Sequence, residues 1–301
     1  MEPTAALVHG SFLGYGAADP SCSSKAFVRR VYHPNSRFSL GIPIQYKTRR
    51  TSPLKIFCST VDEQITLQAS TMHETYDLLA HRLFGASSAK PGSKYLVGIA
   101  GPPGAGKSTL ANEVSGRVNK LHQERNPGLV SEIAIAVPMD GFHLYKHQLD
   151  AMEDPEEAHA RRGAPWTFNP SGLVDCLKAL RSQQWAYFPS FDHGVGDPVE
   201  QDILVSPKHK VVLVEGNYLL LEDGEWKELK NLFDERWFIS LDLDTAMKRV
   251  ELRHISTGKT KEHAKNRVEY NDRPNAELIL TTRKHSNLVI NSLDHSQKKT
   301  G

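Results

Sequence analysis

The 301-residue sequence predicts an α/β fold in which a mostly parallel sheet is sandwiched by helices. Three observations carry this expectation. Short apolar runs alternate along the chain with segments of helical spacing. A glycine-rich octapeptide joins the first buried run to a helix, and another buried run ends on an acid. Apolar runs of this kind bury on both faces only when helices cover both sides of a parallel sheet.

The elements follow in order. Asp62 to Leu83 places Ile65, Met72, Tyr76, Leu79 and Leu83 near one face of an expected helix, and Ala86 to Ser93, with Pro91 and Gly92, ends it. Tyr95 to Ala100 reads as a buried strand, followed by the glycine-rich loop and a helix opening near Lys107. Ile133 to Val137 is a second strand, running into Pro138 and Met139-Asp140-Gly141. Val211 to Val214 is a third, ending at Glu215-Gly216, and Trp237 to Leu243 a fourth, followed by a helix from Thr245 to about Ile255. Leu288 to Ile290 is the last apolar run. Residues 61–301 thus read as a single domain without internal repeats.

Composition narrows the classes. Hydrophobic residues make up 39% and charged residues 24%, as in ordinary soluble proteins, and no run approaches the ~18–20 apolar residues of a membrane span. Charge is unevenly placed. Residues 1–60 hold eight basic side chains against Glu2 and Asp19, a formal charge of +6, which leaves −4 on the remainder. The folded part is therefore acidic, and neither a nucleic-acid nor a membrane partner is expected; a homodimer stays open. The basic, hydroxylated, acid-poor composition of residues 1–60 reads as a disordered transit peptide. Its end resembles a chloroplast cleavage region at Ile56-Phe57-Cys58-Ser59, with a mitochondrial address as the alternative. Of the three cysteines only Cys176 lies in the body, on the helical run Leu173 to Leu180, where it is expected to pack as a small hydrophobe. The acidic stretch Glu153 to Glu157 reads as a solvated loop or helix start.

Gly101-Pro102-Pro103-Gly104-Ala105-Gly106-Lys107-Ser108 matches G-x-x-x-x-G-K-[ST] at every fixed position, and Thr109 follows it. Glycines let backbone N–H groups close on phosphate without a Cβ in the way, and the helix N-terminus adds its dipole. This is the P-loop of a P-loop NTPase fold. Lys107 is expected to reach the β- and γ-phosphates and to be dispensable for packing, and Ser108 to ligate Mg²⁺. Glu215, closing a buried strand, is the expected acid on the magnesium side. No N-K-x-D guanine-selecting pattern occurs, so ATP is the expected nucleotide. Asp140 ends another strand and so projects into the same crevice as Lys107 and Glu215. Position alone allows it to be the base for an attacking hydroxyl, a ligand of magnesium-bound water, or a cap of the next helix.

Further blocks recur in a particular order: Met139-Asp140-Gly141-Phe142, Arg161 to Phe168, Phe191-Asp192-His193, Val214-Glu215-Gly216-Asn217 and Ile279 to Arg283. Together with the P-loop they resemble the superfamily of phosphoribulokinase, uridine kinase and type I pantothenate kinase over roughly residues 94 to 290. The resemblance implies that Asp140 is the catalytic base. It also implies that Phe142, Arg162 and His193 line the pocket of a small-molecule hydroxyl acceptor. Arg249 and Arg253 lie four apart on one helical face, and Arg253 to Gly258 resembles the family's lid, which would extend over about 249–275. In the family the lid arginines close over the transferring phosphate, with Arg249 also a candidate substrate contact. Asn271 and Asn275 are candidates to touch acceptor or nucleotide. The implied activity is transfer of the ATP γ-phosphate to a hydroxyl of pantothenate, a nucleoside such as uridine, or a sugar. The spacing around Asp140-Gly141-Phe142 and Arg162-Gly163 resembles pantothenate kinase more than uridine kinase, and the P-loop lacks the cysteine of redox-regulated plastid phosphoribulokinase. An ATPase or ATP-binding regulator without acceptor chemistry is the alternative.

Overall fold

A buried parallel strand needs apolar side chains on both faces, and Tyr95–Ala100 and Val211–Glu215 are buried along their whole length. The computed structural model describes residues 57–58, 64–129 and 131–293, all within the unit Ser52–Gly301. Its strands are β1 (Phe57–Cys58), β2 (Ile65–Leu67), β3 (Tyr95–Ala100), β4 (Ala134–Pro138), β5 (Ala186–Asp192), β6 (Asp197–Val205), β7 (Val211–Glu215), β8 (Glu235–Ser240) and β9 (Leu288–Asn291). The main sheet runs β1-β2-β9-β8-β3-β7-β4. Every pairing in it is parallel except β1 with β2. The sandwiched parallel sheet read from the sequence is present. The proposed transit segment lies outside the described residues apart from Phe57–Cys58.

Side chains of β3 alternate between two cores. Leu96 and Ala100 pack with Leu173, Leu177 and Leu180 of α5 (Pro170–Gln183). Val97 and Ile99 face the other way, onto Leu79 and Leu83 of α1 (Met72–Ser88) and Leu110, Val114 and Val118 of α2 (Lys107–Arg125). Leu96, Val97 and Ile99 have no exposed surface. Burial of each stabilises the fold by about 1.5–3 kcal/mol. Cys176 lies half-buried on α5 as expected, packed against the first core.

Two expectations are corrected. The helix does not begin at Asp62: Ile65–Leu67 pairs in parallel with β9, and α1 starts at Met72. Thr71 accepts from the Glu74 N–H and Glu74 reaches back to the Ser70 N–H, so capping stops the helix where the apolar periodicity runs on. The fourth strand ends at Ser240 rather than Leu243, because Asp242 accepts from the Thr245 N–H and caps α6 (Leu243–Ser256). Among the elements the sequence left unread, β5 and β6 form a separate antiparallel hairpin.

The remaining helices are α3 (Lys146–Asp150), α4 (Pro155–Ala160), α7 (Lys261–Arg267) and α8 (Arg273–Thr281), with a π-helical turn at Val268–Asp272 between the last two. The acidic stretch starts α4, where Asp154 accepts from the Glu157 N–H. Among the described residues no helix is long and apolar enough to cross a membrane.

Candidate active site

Strand register brings the motifs to one level. Ile99 pairs with Glu215, and Glu215 pairs with Pro138. The P-loop, the acid closing β7 and the turn carrying Asp140 therefore leave the carboxyl edge of three adjacent strands, where open α/β sheets bind ligands.

The loop is held tightly from behind. Gly104 and Gly106 have φ of +83° and +92°. A Cβ at Gly104 would lie 2.6 Å from the Ala246 carbonyl of α6, so the loop can approach α6 this closely only with glycine. Gly106 caps α2 without a side-chain hydrogen bond, leaving the first helical N–H groups for phosphate. Lys107 opens the helix but is not an exposed side chain. It is 9% exposed, and its Nζ donates to the Pro102 carbonyl at 3.2 Å. Burial lowers its pKa, while Glu215 and Asp140 act in the opposite sense. A bound polyphosphate would add to their pull and hold the ammonium charged. The expectation that Lys107 is dispensable for packing is thus corrected: the closed loop wraps it.

Ser108 donates its hydroxyl to Glu215 Oε1 at 2.8 Å. Glu215 is itself buried, which raises its pKa against the pull of Lys107, with Asp140 adding to the rise. Asp140 sits in the 3₁₀ turn Met139–Phe142, and the following helix, α3, is capped by Tyr145 instead, which removes the helix-cap reading. The turn is pressed against the hairpin: a Cβ on Gly141 would lie 1.9 Å from the Pro189 carbonyl. Only glycine lets β5 lie across the turn that carries Asp140.

Two cavities meet at these residues. One, of about 330 Å³, is lined by Pro103, Gly104, Lys107, Thr109, Arg249 and Arg253, among others, and lies on the P-loop side. The second, of about 250 Å³, lies between α2, β4 and the hairpin. Ser108, Asp140 and Glu215 line both and form the wall between them. A larger hollow of about 680 Å³ between α1 and α2 is lined largely by charged groups such as Arg117, Asp77 and Glu113, and we assign it no chemistry.

Of the residues expected around an acceptor, the structure brings Phe191 and His193 of the Phe191-Asp192-His193 block to the second cavity. Phe142 is buried in the core beside Phe188, so its ring is packing. Arg162 donates to the Leu144 carbonyl at 2.7 Å and to Asp197 at 3.1 Å, bracing the hairpin from outside the cavity. Arg249 turns to the P-loop and donates to the Gly104 carbonyl at 3.3 Å. Arg253 lies on the same nucleotide-side wall, close enough to Lys107 to oppose its charge. Asn271 and Asn275 are buried and bond to each other, and Asn271 also bonds to the Arg162 carbonyl, so they tie the turn Val268–Asp272 and α8 to residue 162. Arg267 completes that clasp, donating to the carbonyls of Ala160 at 2.9 Å and Arg162 at 2.7 Å. Sequence reasoning missed Asn112 and Ser190 on the second cavity. Only the hairpin's turn signal at Gly194 and Gly196 pointed toward Ser190.

The donor set fits magnesium carried on a nucleotide. Among the described residues no group of three or more His, Cys, Asp or Glu makes a protein-only metal cage. One hydroxyl and one carboxylate beside a phosphate loop are what such a cation uses.

No family profile matches the chain. A Schizosaccharomyces pombe protein that carries the provisional name uridine kinase is 37% identical over 231 residues, 75% of this chain and 94% of its own length. The chain belongs to the family of uridine kinase-like P-loop kinases. An Aspergillus versicolor relative of this kinase, named ATP-dependent kinase-like protein notR′, is 38% identical over 152 residues, 48% of this chain and 88% of its own. A crystal structure of a Silicibacter protein, titled provisionally as a fructose transport system kinase, is 30% identical with a TM-score of 0.61. It covers 70% of this chain and 98% of its own. The kinase uses ATP.

Proposed function

We propose that this kinase transfers the γ-phosphate of ATP to a hydroxyl of a small metabolite, with Asp140 as general base. The observation that carries the reading is the shared wall of Ser108, Asp140 and Glu215 between two cavities. A γ-phosphate entering from the P-loop side and a hydroxyl entering from the hairpin side would meet there. Asp140 takes the hydroxyl proton as the oxygen attacks phosphorus, and the bond to the ADP oxygen breaks. Lys107 and Arg253 stand where negative charge spreads over the transferring group, which supports a charge-stabilising role for both. Ser108 and Glu215 would hold Mg²⁺, which when bound neutralises phosphate charge. Arg249 secures the P-loop against α6.

Acceptors consistent with this reading are a sugar, a nucleoside such as uridine, or pantothenate. The names of the Silicibacter and fission-yeast proteins point to the first two respectively. The test is ADP formation by purified protein with and without each acceptor. Acceptor-stimulated turnover with a phosphorylated product is expected. Turnover that ignores every acceptor would leave an ATPase.

A further inference from the structure

The charge around the second cavity restricts what can occupy it. Among the described residues that line it are the carboxylates Asp140 and Glu215 and no lysine or arginine. The polar groups left for a ligand are Asn112, Ser190 and His193, set beside the ring of Phe191 and above Ala136 and Pro138. That is a surface of neutral hydrogen-bonding groups over an apolar floor.

The nearby cations lie off this wall: Lys107 and Arg253 line the other cavity, and those around the hairpin bond to protein groups. Arg162 donates through one terminal nitrogen to the Leu144 carbonyl and Asp197, its guanidinium lies over the Phe191 ring at 5.5 Å, and its Nε is buried without a hydrogen-bond partner; it does not line the cavity. Lys146 donates to the Val195 carbonyl, Arg161 to the Tyr270 carbonyl and Arg267 to the carbonyls of Ala160 and Arg162. The hairpin turn could have offered free N–H groups as an anion nest, but Asp192 Oδ1 already accepts from Gly194 at 2.7 Å and Val195 at 3.1 Å. A phosphate or carboxylate on the acceptor would thus meet two carboxylates and no lysine or arginine on the cavity wall.

Size points the same way. At about 250 Å³ the cavity falls below the usual ~300–1,000 Å³ of pockets for drug-sized ligands. We infer that the acceptor is an uncharged polyhydroxy compound of about monosaccharide size, its C–H face on Phe191 and its hydroxyls on Asn112, Ser190 and His193. This rests on the kinase reading above and narrows it: sugar phosphates and carboxylates such as pantothenate are excluded.

Matched pairs test it on the full chain: D-ribose against ribose 5-phosphate, D-fructose against fructose 6-phosphate, and pantothenol against pantothenate. Acceptor-dependent ADP formation and product phosphorylation are measured at fixed ATP. A neutral member is expected to exceed its anionic partner in kcat/KM by about 10²-fold or more, the scale of an uncompensated like charge. Asn112→Lys, on the exposed face of α2, should narrow that ratio at least tenfold by supplying the missing cation. Anionic members equal to or better than neutral ones would overturn the inference while leaving a kinase. Acceptor-independent turnover with every compound would overturn the kinase reading and this inference together.

Discussion

Asp140→Asn separates the chemistry from the binding. The change keeps the shape of the side chain and removes its charge and its capacity to take a proton. Asp140 shares its wall with Ser108 and Glu215, and it interacts electrostatically with both Lys107 and Glu215. Neutralising it removes an attraction to Lys107 and a repulsion from Glu215, which offset one another. Stability should therefore move by less than about 1 kcal/mol, within the range of substitutions that break no buried partner. ATP affinity should change little, since the loop N–H groups and Lys107 remain. Turnover should fall about 10²- to 10⁴-fold, the usual cost of losing a general base. That fall corresponds to roughly 3–5 kcal/mol of activation free energy at ~1.36 kcal/mol per decade. The assay is initial-rate ADP formation with the best acceptor, beside calorimetric ATP binding and a thermal melt. If excess magnesium restores the rate, Asp140 serves the metal. Near-normal turnover at ordinary magnesium would refute the base assignment outright.

Gly141→Ala would drive a Cβ into the Pro189 carbonyl at 1.9 Å, so hairpin or turn must shift. A loss of about 1–3 kcal/mol in urea unfolding is expected, with acceptor-dependent turnover falling more than ATP affinity. Arg267→Ala opens the clasp between α7 and the Arg162 carbonyl. It should raise the acceptor KM more than the ATP KM, and equal shifts in steady-state kinetics would discount the clasp. Burial lowers the pKa of His209 to about 4, and its Nδ1 accepts from the Ser206 N–H. The unfolded chain then binds more protons than the folded one between about pH 4 and 6.5, so stability is lost as pH falls through that window. His209→Asn should flatten that loss in urea titrations at successive pH values. Import into the plastid predicts a native N-terminus near residue 60, and a mature chain beginning at Met1 in N-terminal sequencing would exclude it.

Local chemistry was enough to read the nucleotide half of the site. A P-loop needs glycines, a lysine and a hydroxyl in consecutive positions, and its helix starts where the pattern says, so Gly104, Gly106, Lys107 and Ser108 were legible together. Asp140 and Glu215 were also legible, because a buried parallel strand announces its carboxyl end by stopping. The second cavity depends on pairing between distant segments. Residues 186–205 alternate weakly and carry Pro189 inside a strand, so only their packing across the Gly141 turn makes them a wall. The chain likewise gives no sign that Arg162 would be spent on the Leu144 carbonyl and Asp197, or that Phe142 would turn inward. Ile65 shows the same limit: its spacing fits a helix, and strand β9, more than 200 residues away, decided otherwise. A motif is a demand of short-range geometry, whereas a cavity's charge is the sum of partners chosen over the whole fold.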